Sequence, residues 1–171
     1  MPRLIRLPFR DKDLLFIFGP YRERVRGTYG VKLAPEVEGQ ADLLISIPDF
    51  GVPGQAEYQI ALARLILLAD EGHVVYVGCR GGIGRTGMVL AGLRRVLCKR
   101  GADDCITWGR ANYHPHAVET RAQENLIRDF DVAAVRNAVR LQKPVAASCI
   151  RQYIKRIFGN ARRQADDTSR I

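Results

Sequence analysis

The segment of residues 78–87, GCRGGIGRTG, constrains the fold of this chain more than any other part of the sequence. It follows the β-branched run 73–77 and precedes helix-forming residues that begin near Arg85. Its glycines allow the chain to wind tightly, so that successive amide N–H groups point inward and form an anion-binding nest. The N-terminus of the following helix adds a positive end to that nest. The segment therefore predicts a phosphate-binding loop between a buried strand and a helix.

The same loop carries a nucleophile and a cation at a fixed spacing. Cys79 stands at its mouth, where the amides, the helix dipole and a guanidinium all favour thiolate over thiol. Six residues later, Arg85 offers a planar fork that can hold two phosphoryl oxygens at once. The residues that we predict to bind phosphate are Arg80, Gly81, Gly82, Ile83, Gly84 and Arg85.

Two other phosphate-binding motifs fit this segment less well. Gly82, Gly84 and Gly87 match the spacing of a dinucleotide-binding fingerprint, but they begin too far past the strand. The loop of a nucleoside-triphosphatase would need Gly in place of Cys79 and Lys in place of Arg85. The paired Cys and Arg therefore favour a phosphatase-type site.

A thiolate that attacks phosphorus needs a proton donor for the leaving oxygen, and that donor should come from a separate loop. Asp49 lies in the loop PDFGVPG, residues 48–54, directly after the apolar run Leu43–Ile47. A loop rich in Pro and Gly can swing over a pocket, as a general acid requires. We predict that Asp49 is this acid and that burial beneath Phe50, beside a bound dianion, keeps its carboxyl protonated.

Together these residues resemble a known family. Cys-x5-Arg-Thr after a strand, with a spaced Asp loop, is similar to the cysteine-dependent protein tyrosine phosphatase superfamily, and most similar to its compact dual-specificity-like members. The segment VETRAQ, residues 118–123, resembles their later glutamine segment, so the resemblance runs from about Leu43 to Ile127. One position departs from the family pattern, because Gly78 stands where the family usually has His.

The resemblance implies a two-step hydrolysis of phosphomonoesters, of phosphotyrosine first and of phosphoserine and phosphothreonine as further substrates. Cys79 attacks the phosphoryl group held by Arg85 and the loop amides, while Asp49 protonates the leaving group. Water then hydrolyses the phosphocysteine, with Asp49 as base and Gln123 positioning the water. Thr86 would donate a hydrogen bond to the Cys79 sulfur. No metal or other cofactor is expected.

Charge keeps other readings open. Lys and Arg total 27 against 18 Asp and Glu, a net charge of +9 that favours anionic partners without choosing among them. Together with Arg80, this charge makes a phosphoinositide or an RNA 5′-phosphate the alternative to a phosphorylated protein, although Ile83 at the apex of the loop disfavours lipid headgroups. The non-enzymatic alternative, suggested by Gly78, is a phosphate-binding module with weak catalysis.

The order of elements predicts an α/β fold, a central and mostly parallel sheet flanked by helices in a three-layer sandwich of the phosphotyrosine-phosphatase type. The predicted strands are Leu14–Phe18, Leu43–Ile47 and His73–Val77, and residues 19–41 are predicted to form turns and short edge strands. The predicted helices are 55–70, 85–99, one capped by Asp103 or Asp104 and running to Asn112, one or two over 118–142, and a basic one over 148–158.

We expect a monomeric, cytoplasmic protein with one phosphatase domain over residues 1–160 and a mobile polar tail over 161–171. No wholly apolar run is longer than Leu65–Ala69, which is far shorter than the roughly 20 residues that span a bilayer. The cysteines outside the loop form no Cys-x-x-Cys pair and are expected to be reduced thiols; they are Cys98, Cys105 and Cys149.

Overall fold

One sheet of five strands organises the described part of the chain, residues 1–141 of a computed structural model. In chain order the strands are β1 (Arg3–Phe9), β2 (Lys12–Pro20), β3 (Tyr29–Lys32), β4 (Leu43–Leu44) and β5 (Val75–Cys79). In space the order is β1-β2-β5-β3-β4, with β1 antiparallel to β2 and each other pair parallel. The predicted α/β class, a mostly parallel sheet flanked by helices, is confirmed.

Five α-helices accompany the sheet in this part of the chain. They are α1 (Gln55–Asp70), α2 (Gly84–Leu97), α3 (Ala102–Asn112), α4 (Arg121–Asp129) and α5 (Val132–Leu141). Both α1 and α2 pack on β2 and β5, and α2 also packs on α3 and α4. The phenol of the buried Tyr58 in α1 donates to the carbonyl of Met88 in α2 over 2.6 Å, which fastens the two helices together.

The central strand β5 determines where the chemistry lies. Each of its residues is buried, as expected for a parallel strand covered on both faces. It begins two residues later than the predicted strand 73–77 and extends to Cys79. The predicted nucleophile is therefore the last residue of the central strand, at the carboxyl edge of the parallel strands where such sheets bind ligands.

The N-terminal third differs from its prediction in three ways. The strand β1 was not predicted, although Ile5 and Leu7 alternate with exposed neighbours and bury one face. The strand β3 lies inside the sheet, between β5 and β4, so the prediction of only edge strands in 19–41 is wrong. The predicted strand 43–47 pairs only at Leu43–Leu44, and beyond it the amides of Ile45 and Ile47 donate to β3 and to the residue after it.

Side-chain caps explain the helix boundaries after residue 118. Thr120 accepts a hydrogen bond from the amide of Gln123 and starts α4, and Asp131 accepts one from Ala134 and starts α5. The segment 118–142 therefore forms two helices within the described residues, which was one of the two predicted outcomes. The acidic cap expected for α3 is wrong, because Gly101 is its N-cap residue and caps with no side chain.

Residues Met1–Val139 form one compact unit. The predicted helix 148–158, the domain end at residue 160, the tail 161–171 and Cys149 lie outside the described residues. Among the helices that the structure describes, none is both long and apolar enough to cross a membrane.

Candidate active site

The loop between β5 and α2 joins the predicted nucleophile to the predicted phosphate-binding arginine. Cys79 is buried at the end of β5, and its amide donates to the Thr86 hydroxyl oxygen over 3.0 Å. This bond ties the first turn of α2 back to the cysteine and closes the loop of residues 80–83. Thr86 thus contacts the backbone of Cys79, and its role toward the sulfur stays a prediction.

Gly82 is required by both conformation and space. Its φ of +70° lies in the left-handed region, and a Cβ there would collide with the backbone of Gly19 and Pro20 at the end of β2. Its carbonyl accepts a hydrogen bond from the hydroxyl of Tyr113, at the end of α3. Burial raises the pKa of Tyr113, so that hydroxyl stays protonated and able to donate.

Close packing explains why residue 78 is a glycine. A Cβ at this position would lie 2.7 Å from the carbonyl oxygen of Gly19 and 2.9 Å from the amide nitrogen of Tyr21. The end of β2 therefore approaches β5 so closely that no side chain fits there. The histidine that the family usually has before its cysteine is excluded here by the backbone that supports the loop.

Arg85 is the most heavily bonded side chain of the site. It is 2% exposed, and Nη1 donates to the carbonyl of Ile47 over 2.9 Å. Both carboxylate oxygens of Glu36 accept from it, at 2.6 Å and 3.2 Å. Nη2 also lies 2.8 Å from Oδ1 of Asp49. The structure therefore brings together the predicted arginine and the predicted acid, and it adds a second carboxylate that the sequence did not reveal.

Arg85 and Glu36 each favour the charged form of the other. Burial by itself would lower the pKa of Arg85, but the hydrogen bond to Glu36 and the charges of Cys79, Glu36 and Asp49 outweigh it and raise the pKa. The hydrogen bond from Arg85 lowers the pKa of Glu36, with a smaller contribution from Arg80. The guanidinium is thus held charged and oriented before any phosphate arrives.

Glu36 lies in a segment without a recognisable motif, and a buried lysine holds that segment in place. Nζ of Lys32, the last residue of β3, donates to the carbonyls of Val37 over 2.7 Å and Gly39 over 2.9 Å. These bonds shape the turn that presents Glu36 to Arg85. The only signal in the sequence was a lone Lys in an apolar stretch, which is too common to single out.

Asp49 occupies a different environment from the one predicted. Its side chain is 50% exposed, and Phe50 is 60% exposed with a left-handed φ of +56°. The expected burial of Asp49 beneath Phe50 is therefore wrong. The Asp49 carboxylate instead faces solvent on one side and Arg85 on the other, and it accepts a hydrogen bond from the amide of Phe50 over 3.2 Å.

Gln123 is fully buried, and it fastens the loop of residues 48–54, here called the acid loop, to α4. Its Oε1 accepts from the amide of Glu119 over 2.9 Å, and its Nε2 donates to the carbonyl of Gly51 over 3.3 Å. The hydroxyl of Thr120 adds a bond to the carbonyl of Phe50 over 3.2 Å. Gln123 thus lies beside the acid loop as its predicted role requires, and its positioning of a water stays a prediction.

The remaining predicted phosphate-binding residues lie on the loop itself. Arg80 and Gly81 are exposed at its outer side, Ile83 is partly buried, and Gly84 is buried as the first residue of α2. Their backbone placement between Cys79 and Arg85 agrees with the predicted phosphate-binding loop, or cradle, and their contacts with phosphate stay predictions.

Comparisons with known families and sequences give matches over the part of the chain that carries much of this site. Residues 29–101 match a family model described as "Polymorphic toxin system, DSP-PTPase phosphatase". The chain is 33% identical over 91 residues to an uncharacterized protein of Methanocaldococcus jannaschii, covering 52% of this chain and 58% of that protein. It is 31% identical over 111 residues to protein tyrosine phosphatase domain-containing protein 1 of Mus musculus, covering 63% of this chain and 15% of that protein. The chain thus spans less than two thirds of either relative.

Solved structures share the fold. Tk-PTP in its active form is similar with a TM-score of 0.58 at 24% identity, over 70% of this chain and 91% of that chain. DUSP15 is similar with a TM-score of 0.60 at 13% identity, over 74% of this chain and 88% of that chain. At these identities the likeness concerns the fold, the mixed sheet with its flanking helices.

Proposed function

We propose that this chain is a phosphatase and a compact dual-specificity-like member of the cysteine-dependent protein tyrosine phosphatase superfamily, a proposal supported by the family model that matches residues 29–101. Its reaction is the hydrolysis of phosphomonoesters, with phosphotyrosine in proteins as the leading substrate and phosphoserine and phosphothreonine as further ones. One observation carries the proposal: Cys79 and the charged Arg85 flank a single glycine-rich loop, and Asp49 lies 2.8 Å from that Arg85.

In the first step the Cys79 sulfur attacks phosphorus and the bond from phosphorus to the leaving oxygen breaks. Arg85 and the loop amides hold the nonbridging oxygens, whose charge grows in the transition state. Those oxygens compete with Asp49 for Nη2 of Arg85, so substrate binding frees the Asp49 carboxyl to turn toward the leaving oxygen. Once it has left Arg85, Asp49 takes up a proton from solvent and then gives that proton to the leaving oxygen.

In the second step a water molecule attacks the phosphocysteine. Asp49, now ionised, takes a proton from the water as the sulfur–phosphorus bond breaks, and inorganic phosphate leaves with Cys79 restored as thiolate. Glu36 takes no part in bond making. It positions Arg85 through two hydrogen bonds, so that the guanidinium keeps its orientation while Asp49 moves away.

Replacing the nucleophile tests the proposal. We expect Cys79→Ser to abolish turnover of an aryl phosphate while vanadate binding persists, because the cradle remains and only the sulfur is lost. Rapid-quench mass spectrometry of the wild type should show one phosphoryl group on the peptide that contains Cys79. Cys98→Ser is the matched control, because Cys98 lies beyond the end of α2 and outside the loop. Undiminished turnover by Cys79→Ser would refute the nucleophile.

The alternative substrates are a phosphoinositide or an RNA 5′-phosphate, hydrolysed by the same mechanism. The net charge of +9 and the exposed Arg80 favour them. Ranking kcat/KM over phosphopeptides, inositides and triphosphorylated RNA decides between the classes. A wild type without burst or turnover toward any monoester, even at high enzyme concentration, would leave the phosphate-binding module as the function.

A further inference from the structure

A cleft of about 510 Å³ lies beside the acid loop, and the mechanism above leaves it unused. It lies between the acid loop and the segment that joins α3 to α4. The residues that line it are Phe50, Arg110, Pro115, His116, Val118 and Glu119. Phe50 follows the predicted acid in the chain and Glu119 lies against Gly84, so we expect the groups next to a bound phosphate to lie near this cleft.

Both walls of the cleft hold residues in an unfavourable backbone conformation. Phe50 has a φ of +56°, and Val118, on the opposite wall, has a φ of +62°. Left-handed backbone is costly for a β-branched residue and persists where the surrounding structure enforces it, often at functional sites. Here the bond from Thr120 to the Phe50 carbonyl joins the two walls. The fold therefore fixes the shape of the cleft on both of its walls.

Glu119 gives this cleft a local negative charge in a protein whose net charge is positive. Its side chain lies against the first residue of α2, because a Cβ on Gly84 would be 2.8 Å from the Glu119 carboxyl carbon. Glu119 is exposed and pairs with no cation among residues 1–141. Arg110, the nearby cation, is engaged by Glu124 at 2.7 Å and by the carbonyl of Val118 at 3.0 Å.

We propose that Glu119 contacts the residue next to the phosphorylated one in the substrate and favours a basic side chain there. Phe50 contributes an apolar contact to the same residue. A second phosphate or an acidic side chain in the cleft would meet the negative charge of Glu119, which disfavours polyanions such as inositol polyphosphates. The proposal rests on the phosphatase function above and narrows its substrate to phosphopeptides with a basic neighbour. It also predicts that substrate preference opposes the sign of the net charge.

Binding to a variant without the nucleophile tests this preference apart from catalysis. Two phosphotyrosyl peptides differ only in the neighbouring residue, which is Arg in one and Glu in the other. On a Cys79→Ser background we expect the Arg peptide to bind about fivefold more tightly, the upper range for an exposed ion pair. Adding Glu119→Gln should bring the ratio of the two Kd values close to one, and high ionic strength should reduce it in the same direction.

Glu71→Gln on the same background is the matched control. It removes one exposed acidic charge at the far end of α1, away from the acid loop, and should leave the ratio unchanged. Equal binding of the two peptides before Glu119→Gln, or an inositol polyphosphate that outcompetes the Arg peptide, would overturn the proposal. If the preference is found but the wild type hydrolyses neither peptide, Glu119 selects as proposed and the phosphatase function fails instead.

Discussion

The predicted phosphate-binding loop, residues 78–87 and here called the phosphate loop, and the acid loop, residues 48–54, are held in place in different ways. The phosphate loop is buried at Cys79 and Arg85, and its backbone packs directly on the end of β2. The acid loop exposes Asp49 and Phe50. Two side chains at the start of α4 bond it at 3.2 Å and 3.3 Å.

In the proposed mechanism, this difference separates phosphate binding from proton transfer. A cradle whose donors are already oriented loses little free energy in reorganisation when charge develops on the phosphoryl oxygens. A loop with few buried contacts opens at low cost, as is common for segments that must admit substrate and then close. Substitutions that crowd the cradle should therefore lower stability, whereas substitutions in or against the acid loop should lower the rate and leave the fold intact.

The largest effect is expected when Asp49 loses its proton-transfer chemistry. Asp49→Asn should lower kcat about 100-fold for substrates with poor leaving groups and much less for an activated aryl phosphate, because only the poor leaving group needs a proton. Steady-state kcat of the wild type and of Asp49→Asn, measured with both substrate types, tests this difference. Equal losses for the two substrate types would assign the proton to another group.

Crowding the cradle tests the other side of the comparison. Gly78→Ala should destabilise the protein by about 2 kcal/mol, because a Cβ there meets the backbone of Gly19 and Tyr21. Gly81→Ala is the matched control, since its Cβ would meet only the side chain of Ile83 at 3.9 Å. Urea unfolding of the two variants measures the difference. Equal stabilities would show that β2 yields easily and that the family histidine is absent for another reason.

The smallest effect is expected from loosening the acid loop. Thr120→Asp keeps an oxygen that caps α4 but loses the donor to the carbonyl of Phe50. The loss of one hydrogen bond, about 1 kcal/mol, should lower kcat about fivefold for substrates with poor leaving groups without changing the midpoint of unfolding. Thr120→Ser keeps both bonds and should behave as wild type. If the free energy of unfolding falls by as much as the activation free energy rises, Thr120 contributes to fold stability alone.

Much of the site follows from local sequence. The helix Gln55–Asp70 has the predicted bounds, since its run of helix formers is uninterrupted between Gly54 and Gly72. The predicted loop joins the end of β5 to the start of α2 as expected. The environment of Asp49 was predicted incorrectly because burial depends on which side chains cover a residue. The residues near Phe50 also give no signal that predicts its left-handed backbone.

Partners that are distant in the chain were beyond such prediction. Glu36 and Arg85 are 49 residues apart, and Gln123 and Gly51 are 72 apart, so no spacing rule connects either pair. The sequence predicts a nucleophile, a guanidinium, a glycine-rich loop and an acid, because each depends on a short segment with its own conformational preference. The folded chain establishes the brace on Arg85, the exclusion of a side chain at residue 78 and the charge beside the cleft, because these arise where separate segments pack against one another.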